Sequence, residues 1–160
     1  MDVTDSQIFE LESDVLAYDW EKSILLCRSK SSGRKKWAKK IEPCLINHII
    51  EDDERYYISC EYGEASGQYL ALGREDGTTA WFIPGRSFLH LIFEGHVYSI
   101  FVDDKDNYYL LKIDREDGKK IWHYPVDSDL TEYSFKKDRI LLKYLSGKTE
   151  KISVSTGFNI

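Results

Sequence analysis

His90 and His96 stand six residues apart across a short turn, and two imidazoles that close are the beginning of a transition-metal site. Nothing completes it. His48 and His123 lie far off in sequence, and Cys27, Cys44 and Cys60 form no Cys-x-x-Cys pair, so no ligand set with metal-binding spacing is present. Asp103-Asp104-Lys105-Asp106-Asn107 alternates oxygen-bearing side chains as a calcium loop does, but lacks the glycine at the sixth position and the closing glutamate. It reads as a solvated turn. Gly63-Glu64-Ala65-Ser66-Gly67 sets a serine among glycines, as a nucleophile elbow would, yet the serine is displaced by one position and no helix follows. No glycine-rich loop with a lysine is present to cradle phosphate. The expectation is a chain with no catalytic residue, no metal and no cofactor, hence not an enzyme.

The elements that would position any site repeat. Arg115-Glu116-Asp117-Gly118-Lys119-Lys120-Ile121-Trp122 has a near twin in Arg74-Glu75-Asp76-Gly77-Thr78-Thr79-Ala80-Trp81, and a third copy in Ser31-Ser32-Gly33-Arg34-Lys35-Lys36-Trp37. A truncated fourth closes the sequence at Val154-Ser155-Thr156-Gly157-Phe158-Asn159-Ile160. The glycines are spaced by 44, 41 and 39 residues, and a period near 40 marks a repeat architecture. Each glycine separates two short runs rich in strand formers, where its tolerance of positive φ suits a hairpin turn. Two further strand-like runs precede it. Each repeat therefore reads A, B, C, glycine turn, D, with the tryptophan on strand D. The repeats span about 7–43, 44–84, 85–125 and 126–160. Pro43, Pro84 and Pro125 punctuate the passages between them, where a missing N–H costs no ladder bond.

Four units of about 40 residues, each four strands long, predict an all-β domain, and a small four-bladed β-propeller accounts for the repeat size while hiding sheet edges. A twisted β-barrel of the same hairpins is the alternative. In its turn glycine followed four residues later by tryptophan, the chain resembles quinoprotein-type and WD-like propeller repeats. The resemblance covers roughly residues 7–160 and implies a repeat grammar without that family's active-site residues.

Composition narrows the function. The net charge is −6 over 160 residues. Residues 28–40 hold seven lysines and arginines and no acid, leaving 15 basic against 28 acidic residues elsewhere. Such a surface repels nucleic acid and attracts basic proteins. The start, Met1 to Asp5, is acidic and polar, unlike a secretory leader, and no apolar run reaches the ~20 residues of a spanning helix. Unpaired cysteines in strands fit a reducing compartment, so a cytoplasmic location is expected.

The partner-binding residues are expected in the B–C and D–A loops. They are Trp20, Glu21, Glu61, Tyr62, Glu64, Asp103, Asp104, Asp106, Asp127 and Asp129. The C–D turns and A–B turns, with Glu51 to Glu54, Glu75, Asp76, Glu116 and Asp117, are acidic as well. In size, charge and lack of chemistry the chain resembles contact-dependent growth inhibition immunity proteins. That resemblance implies a partner with a basic cleft, such as a nuclease toxin. A scaffold propeller that self-associates or joins a larger complex is the second expectation.

Overall fold

The computed structural model describes residues 6–64 and 66–160; the polar start, Met1 to Asp5, and Ala65 of the 63–67 loop lie outside the described residues. The fold is all-β, and four antiparallel sheets in simple meander order account for the strands among the described residues. They fall into two compact units, Met1–Arg86 and Ser87–Ile160.

Unit one carries two sheets. The first is β1 (Ser6–Glu10), β2 (Asp14–Asp19), β3 (Ile24–Ser29) and β4 (Lys35–Lys40); the second is β5 (Leu45–Glu51), β6 (Arg55–Glu61), β7 (Gly67–Gly73) and β8 (Thr79–Pro84). Along β2 burial alternates strictly, Asp14, Leu16 and Tyr18 in and their neighbours half out, as the two-residue strand period demands. In β6 the run Tyr56 to Cys60 is buried on both faces. Leu16, Tyr18, Leu25, Trp37, Ile46, Tyr56, Ile58 and Leu72 form the unit's core. The basic stretch of the sequence resolves into β4. Lys35, Lys36, Lys39 and Lys40 frame the buried Trp37 on an edge strand, where lysines discourage pairing with another chain.

Unit two follows the same plan. Strands β9 (Arg86–Phe93), β10 (His96–Val102), β11 (Tyr108–Asp114) and β12 (Lys120–Val126) make the third sheet. The fourth is three-stranded: β13 (Leu130–Lys136), β14 (Arg139–Tyr144) and β15 (Thr149–Ser153). A single bridge between Ile152 and Asn159 begins a fourth row. Tyr98, Ile100, Leu110, Ile140, Leu142 and Ile152 centre this core. Pro84 and Pro125 sit inside the last turn of edge strands β8 and β12 rather than after them, with their lost N–H on the unpaired side.

The turn glycines behave alike. Gly33, Gly77, Gly118 and Gly157 have φ of 69°, 73°, 75° and 72°. In each turn the glycine N–H reaches back to the carbonyl four residues earlier, as from Gly118 to Asp114 at 2.9 Å. The loop is thus longer than the two-residue hairpin the Asp-Gly pair suggests. Just beyond it the D strand carries one extra residue, Lys36, Ala80 or Ile121, opposite a single step of strand C. This bulge turns the following tryptophan inward. Trp37 then lies on Gly77, where an added Cβ would come within 2.6 Å of the indole, and its Nε1–H donates to the Arg74 carbonyl at 2.8 Å. Trp122 repeats the contact in unit two, over Gly157 and donating to the Val154 carbonyl at 2.9 Å.

Two alanine variants separate the roles of these glycines. Gly33→Ala meets nothing within 4 Å and is expected to lose about 1 kcal/mol from its positive φ alone. Gly77→Ala adds an overpacking cost against Trp37 and is expected to lose about 2–4 kcal/mol in total. Urea unfolding followed by tryptophan fluorescence measures both.

Candidate functional site

At one end of unit one the β2–β3, β4–β5 and β6–β7 connections gather. Tyr18 fixes them. Its hydroxyl lies 3.2 Å from the Ile41 carbonyl and 3.0 Å from that of Glu42, anchoring the passage from the first sheet to the second. Gln7 seals the same junction by a two-way bond, Nε2–H to the Ile46 carbonyl and Oε1 from the Ile46 N–H, both 2.9 Å. On this rigid base Trp20 and Leu45 project with 48% and 44% of their surface exposed. Glu21 and Glu64 are exposed beside them, Glu61 and Tyr62 are half-buried, and Lys22 and Lys40 share the end. Burial pushes the Tyr62 phenol above its usual range, with Cys60, Cys44 and Glu42 acting in the same direction. The five unit-one residues expected to bind a partner therefore do share one end, and Leu45, hidden in a strand by its sequence context, joins them.

In unit two the loop acids are largely engaged in structure. Asp103 accepts the Lys105 and Asn107 N–H groups at 2.8 and 2.9 Å, and these bonds, led by that from Asn107, hold its carboxyl below the usual range. Asp129 accepts the Ser146 N–H at 3.0 Å. Asp127 pairs with Lys148 at 3.0 Å, and the same ammonium lies 3.4 Å from Glu150. Glu150 also accepts the Tyr124 and Tyr144 hydroxyls. Of the five acids expected on these loops, Asp104 and Asp106 are exposed, and Asp106 adopts φ of 60° at the loop tip. The negative field here is thinner than the count of acids implies.

The opposite end of unit one holds a buried charge that the sequence did not flag. Asp14, 2% exposed, accepts the Tyr56 hydroxyl and the Lys36 ammonium, the latter at 3.2 Å. Lys36 also reaches Glu75 at 3.4 Å. A carboxylate so deep is tolerable because both donors are charged or strongly polar. Burial lowers and these acids raise the Lys36 ammonium, with a net shift upward. Among the described residues no group of three histidine, cysteine, aspartate or glutamate side chains gathers to hold a metal. His90 is buried in β9, and His123 sits edge-on to Tyr109 at 5.6 Å.

One thiol stands apart. Cys27, Cys44 and Cys60 are all free. A hydrogen bond from Cys60 holds the half-buried Cys44 thiol below its ordinary range, with a further bond from Tyr18, while that same pairing and burial push Cys60 up. Burial raises Cys27 to about 11.

No protein-family model and no curated protein matches the chain. Solved structures do. BamB from Moraxella catarrhalis superposes with a TM-score of 0.67 at 19% identity, covering 100% of this chain and 48% of BamB. The computationally designed Ika4 protein matches at a TM-score of 0.69 and 10% identity, over 96% of this chain and 95% of Ika4. A quinohemoprotein alcohol dehydrogenase from Comamonas testosteroni matches at 0.63 and 11%, over 96% of this chain and 34% of the enzyme. These likenesses, with four meander sheets and no closed barrel among the described residues, define the fold as a small propeller-type fold. The chain spans about half the length of BamB.

Cys44 is the thiol expected to react first. Iodoacetamide labelling near pH 8 followed by peptide mass mapping is expected to modify Cys44 well before Cys27 or Cys60, and Cys44→Ser is expected to abolish the fast phase.

Proposed function

We propose that the chain is a non-enzymatic binding module, a scaffold-type propeller that holds a protein partner against the loop end of unit one. The observation that carries this reading is the pair of exposed apolar side chains, Trp20 and Leu45, set among Glu21, Glu61 and Glu64. Large apolar groups within a charged rim are the usual anatomy of a contact patch, where the anchor supplies affinity and the rim supplies orientation. The excess of acid over base outside residues 28–40 selects a basic partner and speeds its approach.

The sharper form of this reading makes the partner a basic nuclease toxin that the chain blocks as an immunity protein. What supports it is charge: exposed Glu21 and Glu64 would face a phosphate-binding cleft. Self-assembly or membership of a larger complex is the alternative form. Three free thiols, two of them hydrogen-bonded to each other, fit a reducing, cytoplasmic setting for either.

The test uses affinity capture followed by kinetics with the purified partner. Trp20→Ala is expected to raise the dissociation rate about tenfold or more, consistent with the loss of an interface anchor. Glu21→Lys combined with Glu64→Lys is expected to slow association most strongly at low salt. A partner that binds all three variants as it binds the parent chain rejects this surface, and recovery of the chain alone as a stable oligomer moves the reading to self-assembly.

A further inference from the structure

The third sheet breaks the repeat at one buried position. Across each of the first three sheets a row of three side chains shares one face: Leu16, Cys27 and Trp37; Tyr57, Ala71 and Trp81; Tyr98, Lys112 and Trp122. The centre of the row is a thiol or a methyl group in unit one. In unit two it is a lysine, only 8% exposed. Its ammonium donates to the Val154 carbonyl at 3.0 Å, the acceptor that Trp122 also uses. That is its one hydrogen bond among the described residues, and two of its three protons have no protein acceptor.

Beside it, Tyr98 is fully buried, its ring against Trp122 and Phe135, and its hydroxyl finds no partner. Its counterpart Tyr57 donates to Asp52 at 2.7 Å. The A–B turn that supplies Asp52 in the second sheet is cut in the third to Glu94 and Gly95, both at positive φ, which removes the acceptor. Lys112 and Tyr98 line an open cleft of about 510 Å³, with Glu94, His96, Lys137 and Asp138 among its walls. Burial pushes the Lys112 ammonium below its ordinary range, and Glu94 opposes that shift from a distance.

Unit one shows what completes such a cleft. In its counterpart the carboxylate of Asp14 accepts one lysine ammonium and one tyrosine hydroxyl. The residue at Asp14's position in the third sheet, the first of its B strand, is His96. Unit two thus offers a buried lysine and a buried tyrosine, at other positions of the repeat, as donors with no such carboxylate bonded to them. We propose that the Lys112–Tyr98 cleft binds a carboxylate from outside the chain, that of a small organic acid or of an acidic peptide side chain. One carboxylate oxygen takes the free ammonium protons and the other takes the phenol O–H. Both bonds are charge-assisted. Lys137 beside the cleft favours an anion, and Glu94 and Asp138 limit the ligand's net charge. The cleft belongs to unit two and the loop-end surface to unit one, and neither reading depends on the other.

The test uses the full chain at constant ionic strength near pH 7. Sodium acetate, sodium succinate and an N-acetylated, amidated tetraglutamate are each compared with sodium chloride. Two readouts are followed: Tm, and the NMR resonance of the Trp122 indole N–H, which shares its acceptor with Lys112. A carboxylate at ten times its Kd is expected to raise Tm by about 3–5 °C and to shift that indole resonance saturably. Tyr98→Phe keeps the ring and is expected to weaken binding about tenfold, and Lys112→Met is expected to remove it. A response to acetate or succinate assigns the site to free acids; a response to the peptide alone assigns it to an acidic segment. The proposal is overturned if no carboxylate moves the indole more than chloride does, or if Tyr98→Phe titrates as the parent chain. Tyr98→Phe decides the matter should Lys112→Met fail to fold.

Discussion

An indole lying flat on a glycine holds neighbouring sheets of each unit together. The contact has three interlocking parts. The glycine must lack a Cβ so that the ring can approach, and it must hold a positive φ so that the hairpin closes. The bulge after the turn must add one residue so that tryptophan points inward. The indole N–H then finds a backbone carbonyl of the next sheet's turn, so burying this polar group leaves nothing unsatisfied. Remove one part and the other two lose their purpose. This is why glycine and tryptophan recur together along the chain.

The same arrangement decides where variation is tolerated. With sheet packing fixed by the tryptophan row, the ends of the strands are free to differ. In unit one a buried aspartate closes on a lysine and a tyrosine. In unit two a lysine and a tyrosine at other positions of the repeat face a cleft with no such carboxylate bonded to them. At the other end, some loop acids became staples for their own turns while others stayed on the surface beside Trp20 and Leu45. Charge in these loops therefore serves two ends, local order at Asp103 and Asp129 and outward field at Glu21 and Glu64.

Much of the fold was legible in the sequence because the repeat writes the same physical demands several times. The glycine spacing, the tryptophan offset and the order of strands all follow from one hairpin geometry. Individual sites were less legible. Asp103 and Asp127 read as surface charge, since the sequence shows a carboxylate but not the N–H groups or the lysine that fold back onto it. Lys112 was readable in principle. It stands six residues before Gly118, where Cys27 and Ala71 precede their own glycines. Within the run Tyr108 to Ile113 it looks like an ordinary strand residue rather than a position facing tryptophan. Tyr98 could not have been identified at all, because what marks it is a hydroxyl without an acceptor, and only coordinates reveal that.

Among the described residues, each strand hydrogen-bonds within its sheet only to its neighbours along the chain. Hairpins of this kind close over short sequence distances, so an all-β chain here escapes much of the usual delay of long-range strand pairing. A sheet can complete as soon as its last strand leaves the ribosome, before the next repeat has been synthesised. The interval in which bare strand edges meet other nascent chains is correspondingly brief, and β4, the later of the first sheet's two edges, emerges already studded with lysine.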